Sequence, residues 1–223
     1  MCGRYSIVIS AEQLQQQFSR QLQLPVGGLQ QNYNVAPTQR GLVITDQQPD
    51  QLNTFRWGLV PFWAKDLKIG ARMINARSEG IENKPSFRKP IRQRRCLVIA
   101  DSFYEWQRHD SGKTPYRIKP TDGSLLVMAG IWERWRPTTE DNTVYTFSII
   151  TGAPNAEMTP IHNRMPMLLQ QEQKQSSWLN PDLPLPQVLD LLKTPPDGSL
   201  SYYPVSTSVG NVRNNGPELH EPA

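Results

Sequence analysis

Short runs of β-branched and aromatic residues recur along the chain, and this pattern limits it to folds built around a β-sheet. The runs that fit the pattern are 41–46, 53–58, 96–100, 103–106, 115–120, 124–132 and 143–152. Turn sequences such as those at 111–112 and 122–123 separate them, and the chain has 20 prolines and 14 glycines. We therefore predict a mostly β domain with helices packed against it.

A helix is predicted near the amino terminus, where Ser10 and Gln13 have the spacing of a capping box. The apolar residues that follow recur at intervals of four, which places them on one face of a helix. They are Leu14, Phe18 and Leu22. The pattern predicts a helix that starts near Ser10 and carries one apolar stripe.

The rest of the chain predicts two short helices and a loop-like end. Helical patterns lie at 176–179 and 186–193, whereas the polar segment 204–223 is expected to be a loop. The composition does not shift anywhere in the way that a linker would require. We therefore predict one domain over residues 1–223, with a polar tail from about 214.

The cysteines and histidines argue against a structural metal site. Cys2 and Cys96 form no Cys-x-x-Cys pair, and the histidines stand far apart, at His109, His162 and His220. We therefore expect no metal and no organic cofactor. Cys96 opens an apolar run, so it is predicted to be a core residue. A disulfide between the two cysteines is formally possible, but reduced thiols are expected.

The sequence also lacks the features of a secreted or membrane protein. It begins without an apolar run of signal-peptide length, and it has no uniformly apolar stretch of about 18 residues. We expect a monomeric cytoplasmic protein that does not enter a membrane, associated with the nucleoid if the source is bacterial. The net charge of +4 permits a polyanionic partner without requiring one.

Cys2 has the greatest potential for unusual chemistry, because Met1 is removed from chains whose second residue is small. The mature chain would then carry an α-amine and a thiol two carbons apart. An α-amine has a pKa of about 7.7–8.0, so a useful fraction is neutral and nucleophilic near physiological pH. Such a pair can form an imine with an aldehyde and then close a thiazolidine ring, an intramolecular step. A cysteine at this position can equally be incidental.

A basic stretch at 84–96 is the clearest candidate for binding phosphates. Its positive residues are Lys84, Arg88, Lys89, Arg92, Arg94 and Arg95, with Arg72 and Arg77 just upstream. Arginine forks match the geometry of phosphate, and the nearby aromatic residues Phe62, Trp63 and Phe87 could stack on bases. A solvated loop is the alternative explanation for the same charges.

Three polar residues are further candidates for chemistry, although each also has an ordinary explanation. If 103–106 is a strand, Glu105 can point into a pocket and shuttle protons, or it can form an ion pair. His162 lies in a loop between two prolines and has a near-neutral pKa, but it can be a surface residue. Asn75 is the weakest candidate, because asparagine is a common turn residue.

Several segments, spread in order over nearly the whole chain, carry a resemblance to a known family. They are MCGRY at 1–5, YNVAPTQ at 33–39, RWGLVPFWAKD at 56–66, MINARSEG at 73–80, KPSFRKPIRQRRCLVIADSFYEW at 84–106, IHNRMP at 161–166 and PVSTSVGNVRNN at 204–215. On these segments the chain resembles the SRAP family, the SOS-response-associated peptidases or abasic-site-processing proteins. The combination is highly specific to that family.

This resemblance implies both a fold and a function. It implies a single α+β domain with a dominant, barrel-like, mainly antiparallel β-sheet and flanking helices, in agreement with the pattern of short strands. Members of the family crosslink to the aldehyde of an abasic site through a thiazolidine on the mature N-terminal cysteine, here Cys2. They prefer single-stranded DNA, and the crosslink shields the lesion.

Roles for individual residues follow from the same motifs. Asn75 would hold Cys2 or the opened sugar, Glu105 would move protons, and His162 would assist ring opening or stabilise the sugar hydroxyl. The resemblance and the basic stretch together predict a set of DNA-binding residues. They are Arg4, Asn34, Pro37, Trp63, Arg77, Arg88 and Arg164.

Two other functions remain open at this point. A cysteine peptidase could use an N-terminal cysteine with a glutamate and a histidine, and it could even remove its own Met1. A module that binds DNA without covalent chemistry would need only the basic stretch, and Cys2→Ala would then have little effect. Cleavage of unrelated peptides would distinguish the first of these from abasic-site capture.

Overall fold

The computed structural model describes residues 2–19, 21–137 and 142–223. Its strands are β1 (Arg4–Ile7), β2 (Asn32–Val35), β3 (Arg40–Thr45), β4 (Gln48–Trp57), β5 (Asn75–Arg77), β6 (Arg95–Ala100), β7 (Ser102–His109), β8 (Gly112–Pro120), β9 (Leu126–Trp135), β10 (Val144–Gly152), β11 (Met165–Pro166) and β12 (Leu200–Pro204). Its α-helices are α1 (Ala11–Gln17), α2 (Pro90–Gln93), α3 (Glu172–Leu179) and α4 (Leu185–Asp190).

A closed barrel forms the centre of the fold. Its strands follow the order β10, β4, β3, β6 and β9, and β9 pairs back to β10. The β4–β10 pairing is parallel, whereas the other pairings of this ring are antiparallel. Strand β6 is buried along its whole length, and Trp178 of α3 donates from its indole to the Cys96 carbonyl at 2.9 Å. The predicted α+β fold with a barrel-like sheet and flanking helices is confirmed.

A second sheet holds the start of the chain in its interior. Its order is β12, β8, β7, β1 and β2, so β1 has a partner on each side. Arg4 lies opposite Tyr104 of β7, and Tyr5 lies opposite Val35 of β2. The buried Tyr5 ring makes an edge contact with Trp57 of the barrel, with 4.9 Å between ring centroids. Cys2 and Gly3, which immediately precede β1, are therefore held close to the junction of the two sheets.

The predicted strands agree with the structure better than the predicted helix boundaries do. Each predicted strand run overlaps a strand, but β1, β2, β5, β11 and β12 are not predicted by the sequence pattern. The capping box is confirmed, because Gln13 N donates to Ser10 Oγ at 3.2 Å and Ser10 N donates to Gln13 Oε1 at 2.9 Å. Helix α1 is shorter than predicted, since Phe18 is extended (φ −118°, ψ 121°), so Leu22 lies outside it.

The carboxyl-terminal segment is more ordered than the sequence predicts. The prediction of a loop over 204–223 is wrong, because 3-10 helices span Thr207–Gly210 and Pro217–His220. Val209 and Leu219 are buried and pack in a small cluster with Tyr104. Apolar residues spaced among prolines and asparagines give no periodic signal, so only their packing against β7 reveals the order.

Among the described residues, no helix is long and apolar enough to cross a membrane.

Gly41 of β3 gives a stability prediction, because no side chain fits at this position. A Cβ atom there would lie 2.0 Å from the Tyr5 hydroxyl oxygen and 2.9 Å from Cζ of Phe147. We expect Gly41→Ala to lower the free energy of unfolding by about 1–3 kcal/mol, measured by urea denaturation. Tyr5→Phe in the same chain should recover part of that loss, since the hydroxyl is the nearer clash. Gly210→Ala, whose Cβ meets open space, is the matched control; equal losses in both variants would contradict the packing account.

Candidate active site

Cys2 lies in the protein interior, immediately before β1. Its side chain is fully buried, and its thiol donates a hydrogen bond to the Arg4 carbonyl, with 3.8 Å between Sγ and the oxygen. Both Cys2 and Cys96 are free thiols, and the predicted core position of Cys96 is confirmed. Burial, with the Glu105 carboxylate as the next cause, raises the pKa of the Cys2 thiol to about 12. The thiol therefore keeps its proton at neutral pH.

Asn75 of β5 holds the backbone of Cys2. Its amide nitrogen donates to the Cys2 carbonyl oxygen at 2.7 Å. The parallel pairing of β5 with β10 sets Asn75 opposite Ile149 and fixes the direction of its side chain. Its Oδ1 atom is buried and has no hydrogen-bond partner among the described residues. That oxygen is suitably placed to accept a hydrogen bond from a ligand or from an amine beside it.

Glu105 is a buried carboxylate in the middle of β7, with only 5% of its surface exposed. Its Oε1 accepts a hydrogen bond from the backbone nitrogen of Trp106 at 3.3 Å. The carboxylate raises the pKa of the Cys2 thiol and also acts to raise the pKa of His162. Glu105 thus lies within electrostatic range of both residues.

His162 approaches from the loop that joins β10 to β11. Its Nδ1 accepts a hydrogen bond from the backbone nitrogen of Arg164 at 3.0 Å. Burial lowers the pKa of His162 below its ordinary value of 6.5, while Glu105 acts in the opposite direction. The neutral ring with an occupied Nδ1 carries its proton on Nε2, so Nε2 can donate to a bound group.

The predicted catalytic residues therefore meet at one place, although they come from four separate parts of the chain. Hydrogen bonding links Cys2 with Asn75, and charge links Cys2, Glu105 and His162. The site thus combines one thiol with an amide that holds the Cys2 backbone, a carboxylate and a neutral imidazole. Within the described part of the chain, no group of three histidine, cysteine or acidic residues could hold a metal ion.

Five exposed aromatic and basic side chains are here called the basic rim (Phe62, Trp63, Arg77, Arg88 and Lys89). Phe62 and Trp63 expose 57% and 50% of their surface. The ammonium of Lys89 lies over the Phe62 ring, 4.9 Å from its centroid. Arg77 is exposed two residues after Asn75 on β5, so both side chains leave the same face of that strand. The rim thus combines positive charge with exposed aromatic surface.

The basic stretch at 84–96 is only partly available to a ligand, which corrects the prediction made from charge. Arg95 is buried and donates to the carbonyl oxygens of Trp178, Ile91, Arg92 and Asn180. Arg94 forms an ion pair with Glu133 at 2.5 Å, and Lys84 donates to the carbonyls of Arg77 and Glu79. Arg88, Lys89 and Arg92 are the exposed cations of the stretch.

Three of the predicted DNA-binding residues have partners inside the protein. Asn34 is 1% exposed, and Arg4 Nη1 donates to its Oδ1 at 2.8 Å. Arg164 forms a two-pronged ion pair with Glu79, with Nη1–Oε1 at 2.6 Å and Nη2–Oε2 at 2.9 Å. Arg164 holds the pKa of the Glu79 carboxyl at about 2. A ligand that binds the Nη atoms of Arg4 or Arg164 must therefore displace a present partner, whereas the Nε atom of each is buried without a partner among the described residues.

The loop that joins β2 to β3 contains a feature that the sequence does not predict. Pro37 of this loop is half-buried, and Thr38 has a φ of 75°, a conformation that is costly for a β-branched residue. Thr38 N donates to the Trp57 carbonyl at 2.8 Å, and Arg56 donates to the Thr38 carbonyl at 2.8 Å. No glycine or asparagine marks position 38, so the strained turn becomes visible only in the structure.

The chain is similar to known proteins over nearly its whole length. The sequence model of the family described as SOS response associated peptidase (SRAP) matches residues 1–212. Abasic site processing protein YoqW of Bacillus subtilis (strain 168) is 46% identical over 224 residues, which cover 99% of this chain and 99% of the relative. Abasic site processing protein HMCES of Gallus gallus is 32% identical, covering 100% of this chain and 78% of the relative. A crystal structure of a protein from Bacteroides thetaiotaomicron matches with a TM-score of 0.89 and 30% identity, over 100% of both chains.

Proposed function

The chain belongs to the SOS response associated peptidase (SRAP) family, and from that premise we propose that it recognises abasic sites in DNA and captures them covalently through Cys2. Curated relatives named abasic site processing proteins support the choice of lesion. The observation that carries the proposal is the meeting of four residues at one site, in which Cys2 and Glu105 are buried and Asn75 and His162 are half-buried.

The proposed reaction has two steps and needs no oxidant or reductant. After removal of Met1, the α-amine of Cys2 attacks the aldehyde carbon of the ring-opened sugar, and loss of one water gives an imine. The Cys2 sulfur then attacks the imine carbon, the thiol proton passes to nitrogen, and a five-membered thiazolidine closes. The amine must react first, because a thiol with a pKa of about 12 is mostly protonated at neutral pH. The ring closure is intramolecular and benefits from a high effective concentration.

The surrounding residues supply the proton transfers and hold the reactants. Glu105 accepts a proton from the attacking amine and returns it to the departing hydroxyl, as a general acid and base. Asn75 keeps the Cys2 backbone in place through its amide, while its Oδ1 accepts a hydrogen bond from the new amine. The neutral His162 donates from Nε2 to the hydroxyl of the opened sugar.

The same site is less suited to a cysteine peptidase, which is the rival function. A peptidase nucleophile works as a thiolate, and peptidases lower the pKa of the thiol to obtain it. Here, burial and Glu105 raise that pKa instead. Imine chemistry needs a neutral amine rather than a thiolate, so the raised thiol pKa is compatible with it.

The basic rim is the proposed path of single-stranded DNA into the site, and the protein is proposed to act as a monomer. Arg77 and Arg88 would neutralise phosphates, and Trp63 would stack on the base beside the lesion. Arg164 would exchange Glu79 for a phosphate when DNA binds. Single-stranded DNA should bind better than duplex DNA, because the faces of its bases are free to stack on an aromatic side chain.

Removal of the Trp63 ring tests this path. We expect Trp63→Ala to weaken the binding of an undamaged single strand by about 5- to 150-fold, because stacking contributes about 1–3 kcal/mol per base. Fluorescence anisotropy would measure the change. Tyr202→Ala is the matched control, since Tyr202 is an exposed aromatic residue on the edge strand β12. Equal weakening by both substitutions would remove Trp63 from the DNA path.

Covalent capture itself is tested with three single-stranded oligonucleotides that differ at one position. One carries an abasic site, one carries its tetrahydrofuran analogue, which has no aldehyde, and one is undamaged. We expect an adduct that survives denaturing electrophoresis with the first oligonucleotide alone. No adduct, or equal adducts with the analogue, would exclude the proposed chemistry, and cleavage of peptides would then become the leading function.

A further inference from the structure

We propose that Arg4 is a positioning residue, which ties the reactive amino terminus to the carboxyl-terminal segment instead of holding a DNA phosphate. The segment concerned is residues 205–215, here called the C-terminal clasp. This inference rests on the proposed function, because the group that it positions is Cys2. It goes beyond that function in giving the clasp a part in the reaction.

The guanidinium of Arg4 is directed toward the clasp. Its Nη1 donates to the Val209 carbonyl at 3.0 Å and to Asn34 Oδ1 at 2.8 Å, and its Nη2 donates to the Gly210 carbonyl at 3.5 Å. Both carbonyls belong to the last residues of the 3-10 helix Thr207–Gly210, the end at which backbone carbonyls favour a cation. A phosphate would have to compete with these three acceptors for Nη1 and Nη2, while Nε is buried and has no partner among the described residues.

Asn34 completes the connection between β2 and the clasp. Its amide nitrogen donates to the carbonyls of Asn211 at 3.0 Å and Asn214 at 2.9 Å, and its Oδ1 accepts from Arg4. Both N–H groups of the Asn34 side chain therefore donate a hydrogen bond, and its Oδ1 accepts one with one of its two lone pairs. Tyr33 N adds a bond to Asn215 Oδ1 at 2.7 Å. The three bonds to Asn211, Asn214 and Asn215 fasten the second half of the clasp to β2, the strand beside β1.

The clasp also packs on the strand that carries Glu105. Val205 and Val209 are buried against Tyr104, which lies opposite Arg4 in the β1–β7 pairing. The Tyr104 hydroxyl donates to the Tyr33 carbonyl at 2.8 Å. The clasp thus packs against the part of β7 next to Glu105. A shift of the clasp would therefore move the strand that carries the catalytic carboxylate.

Two contacts hold Cys2 in place. Asn75 holds its carbonyl, and the Arg4 carbonyl accepts its thiol. Cys2 itself precedes β1 and takes no part in a strand pairing. The position of its amine and thiol relative to Glu105 therefore depends on Arg4, whose backbone pairs with β7 and whose side chain is held by the clasp.

The test separates binding from chemistry in four variants: Arg4→Met, Arg4→Lys, Asn34→Ala and Arg213→Met. Arg213 is an exposed residue of the clasp, so its substitution removes the same charge without touching these contacts. Two quantities are measured: the salt dependence of binding to an undamaged single strand, and the single-turnover rate of crosslinking at saturating abasic DNA. Circular dichroism verifies that each variant is folded.

We expect both Arg4 variants and Asn34→Ala to slow crosslinking at saturation by about tenfold or more, with affinity and salt slope within about twofold of wild type and of Arg213→Met. The positioning role is overturned if Arg4→Met loses about one phosphate's share of the salt slope, Arg4→Lys restores it, and crosslinking at saturation is normal. If Arg4→Met does not fold, Arg4→Lys and Asn34→Ala decide the matter by the same criteria.

A measurement without DNA keeps this inference separate from the proposed function. The alkylation rate of Cys2, relative to that of the buried Cys96 in the same chain, reports how tightly the amino terminus is held. We expect it to rise about fivefold or more in Asn34→Ala and in both Arg4 variants; an unchanged rate would count against the clasp. If wild type forms no adduct at all, the proposed function fails, while this ratio still decides whether the clasp holds Cys2.

Discussion

Serine in place of Cys2 should abolish the heat-stable adduct with abasic DNA and leave only a reducible one. Cys2→Ser keeps the α-amine, so an imine can still form, but a hydroxyl adds to an imine far less readily than a thiol. Because ring closure has an effective concentration of roughly 10⁵ M or more, its loss should lower the yield of stable adduct by at least about 100-fold. Electrophoresis after heating, with and without borohydride, measures both species.

The control for this prediction is Cys96→Ser, which removes the other thiol. Cys96 is buried behind α3 and lies outside the site, so a folded variant should crosslink as wild type does. Should Cys2→Ser give a stable adduct in wild-type yield without reduction, the thiazolidine would have no support, and an amine-only linkage would replace it.

Glu105→Gln should slow crosslinking by about 10²- to 10⁴-fold, because glutamine keeps the shape of the side chain but transfers no proton. Affinity for undamaged DNA should stay unchanged. The same substitution removes a negative charge that raises the Cys2 thiol pKa, so that pKa should fall below about 12. Alkylation of Cys2 should accordingly accelerate at a lower pH than in wild type. Single-turnover rates and a pH series of alkylation measure the two effects.

Glu12→Gln is the matched control, because Glu12 is fully exposed on α1 and lies outside the site. Its crosslinking rate should equal that of wild type. A rate for Glu105→Gln within about threefold of wild type would show that the carboxylate does not carry the proton. The backbone hydrogen bond from Trp106 would then be its main role.

The strands of the barrel can be predicted because each contains a short run of apolar, β-branched or aromatic residues bounded by turns. Strands β1 and β2 cannot be predicted in this way. Strand β2 reads Asn-Tyr-Asn-Val, and asparagine is depleted in strands. It is held by pairing with β1 and by the bonds from Asn34 and Tyr33 to the clasp, which are contacts between distant parts of the chain.

The candidate site shows the same division between local pattern and distant contact. Cys2 is recognisable from its position alone, since only the residue after Met1 can present an amine and a thiol together. Asn75, Glu105 and His162 are unremarkable locally, and the family resemblance, rather than any spacing, brought them together. Their convergence depends on strand pairings that no local pattern contains.

Positive charge in the sequence was the least reliable predictor of which residues are available to bind DNA, for a physical reason. A guanidinium can bind phosphate, carboxylate or backbone carbonyls, and the sequence does not say which partner lies nearest. Arg95 meets four carbonyls, Arg164 meets Glu79, and Arg4 meets the C-terminal clasp. Among the arginines predicted to bind DNA, Arg77 and Arg88 are the ones that the fold leaves exposed.

The most direct test of the central claim is the intact mass of the protein after incubation with a single-stranded oligonucleotide that carries one abasic site. The account predicts a mass equal to the chain without Met1 plus the oligonucleotide, less one water, with fragmentation that places the link on Cys2. Cys2→Ala should show no such species without reductant. An adduct on another residue, or none on a chain that still binds the oligonucleotide, would contradict covalent capture by the amino-terminal cysteine.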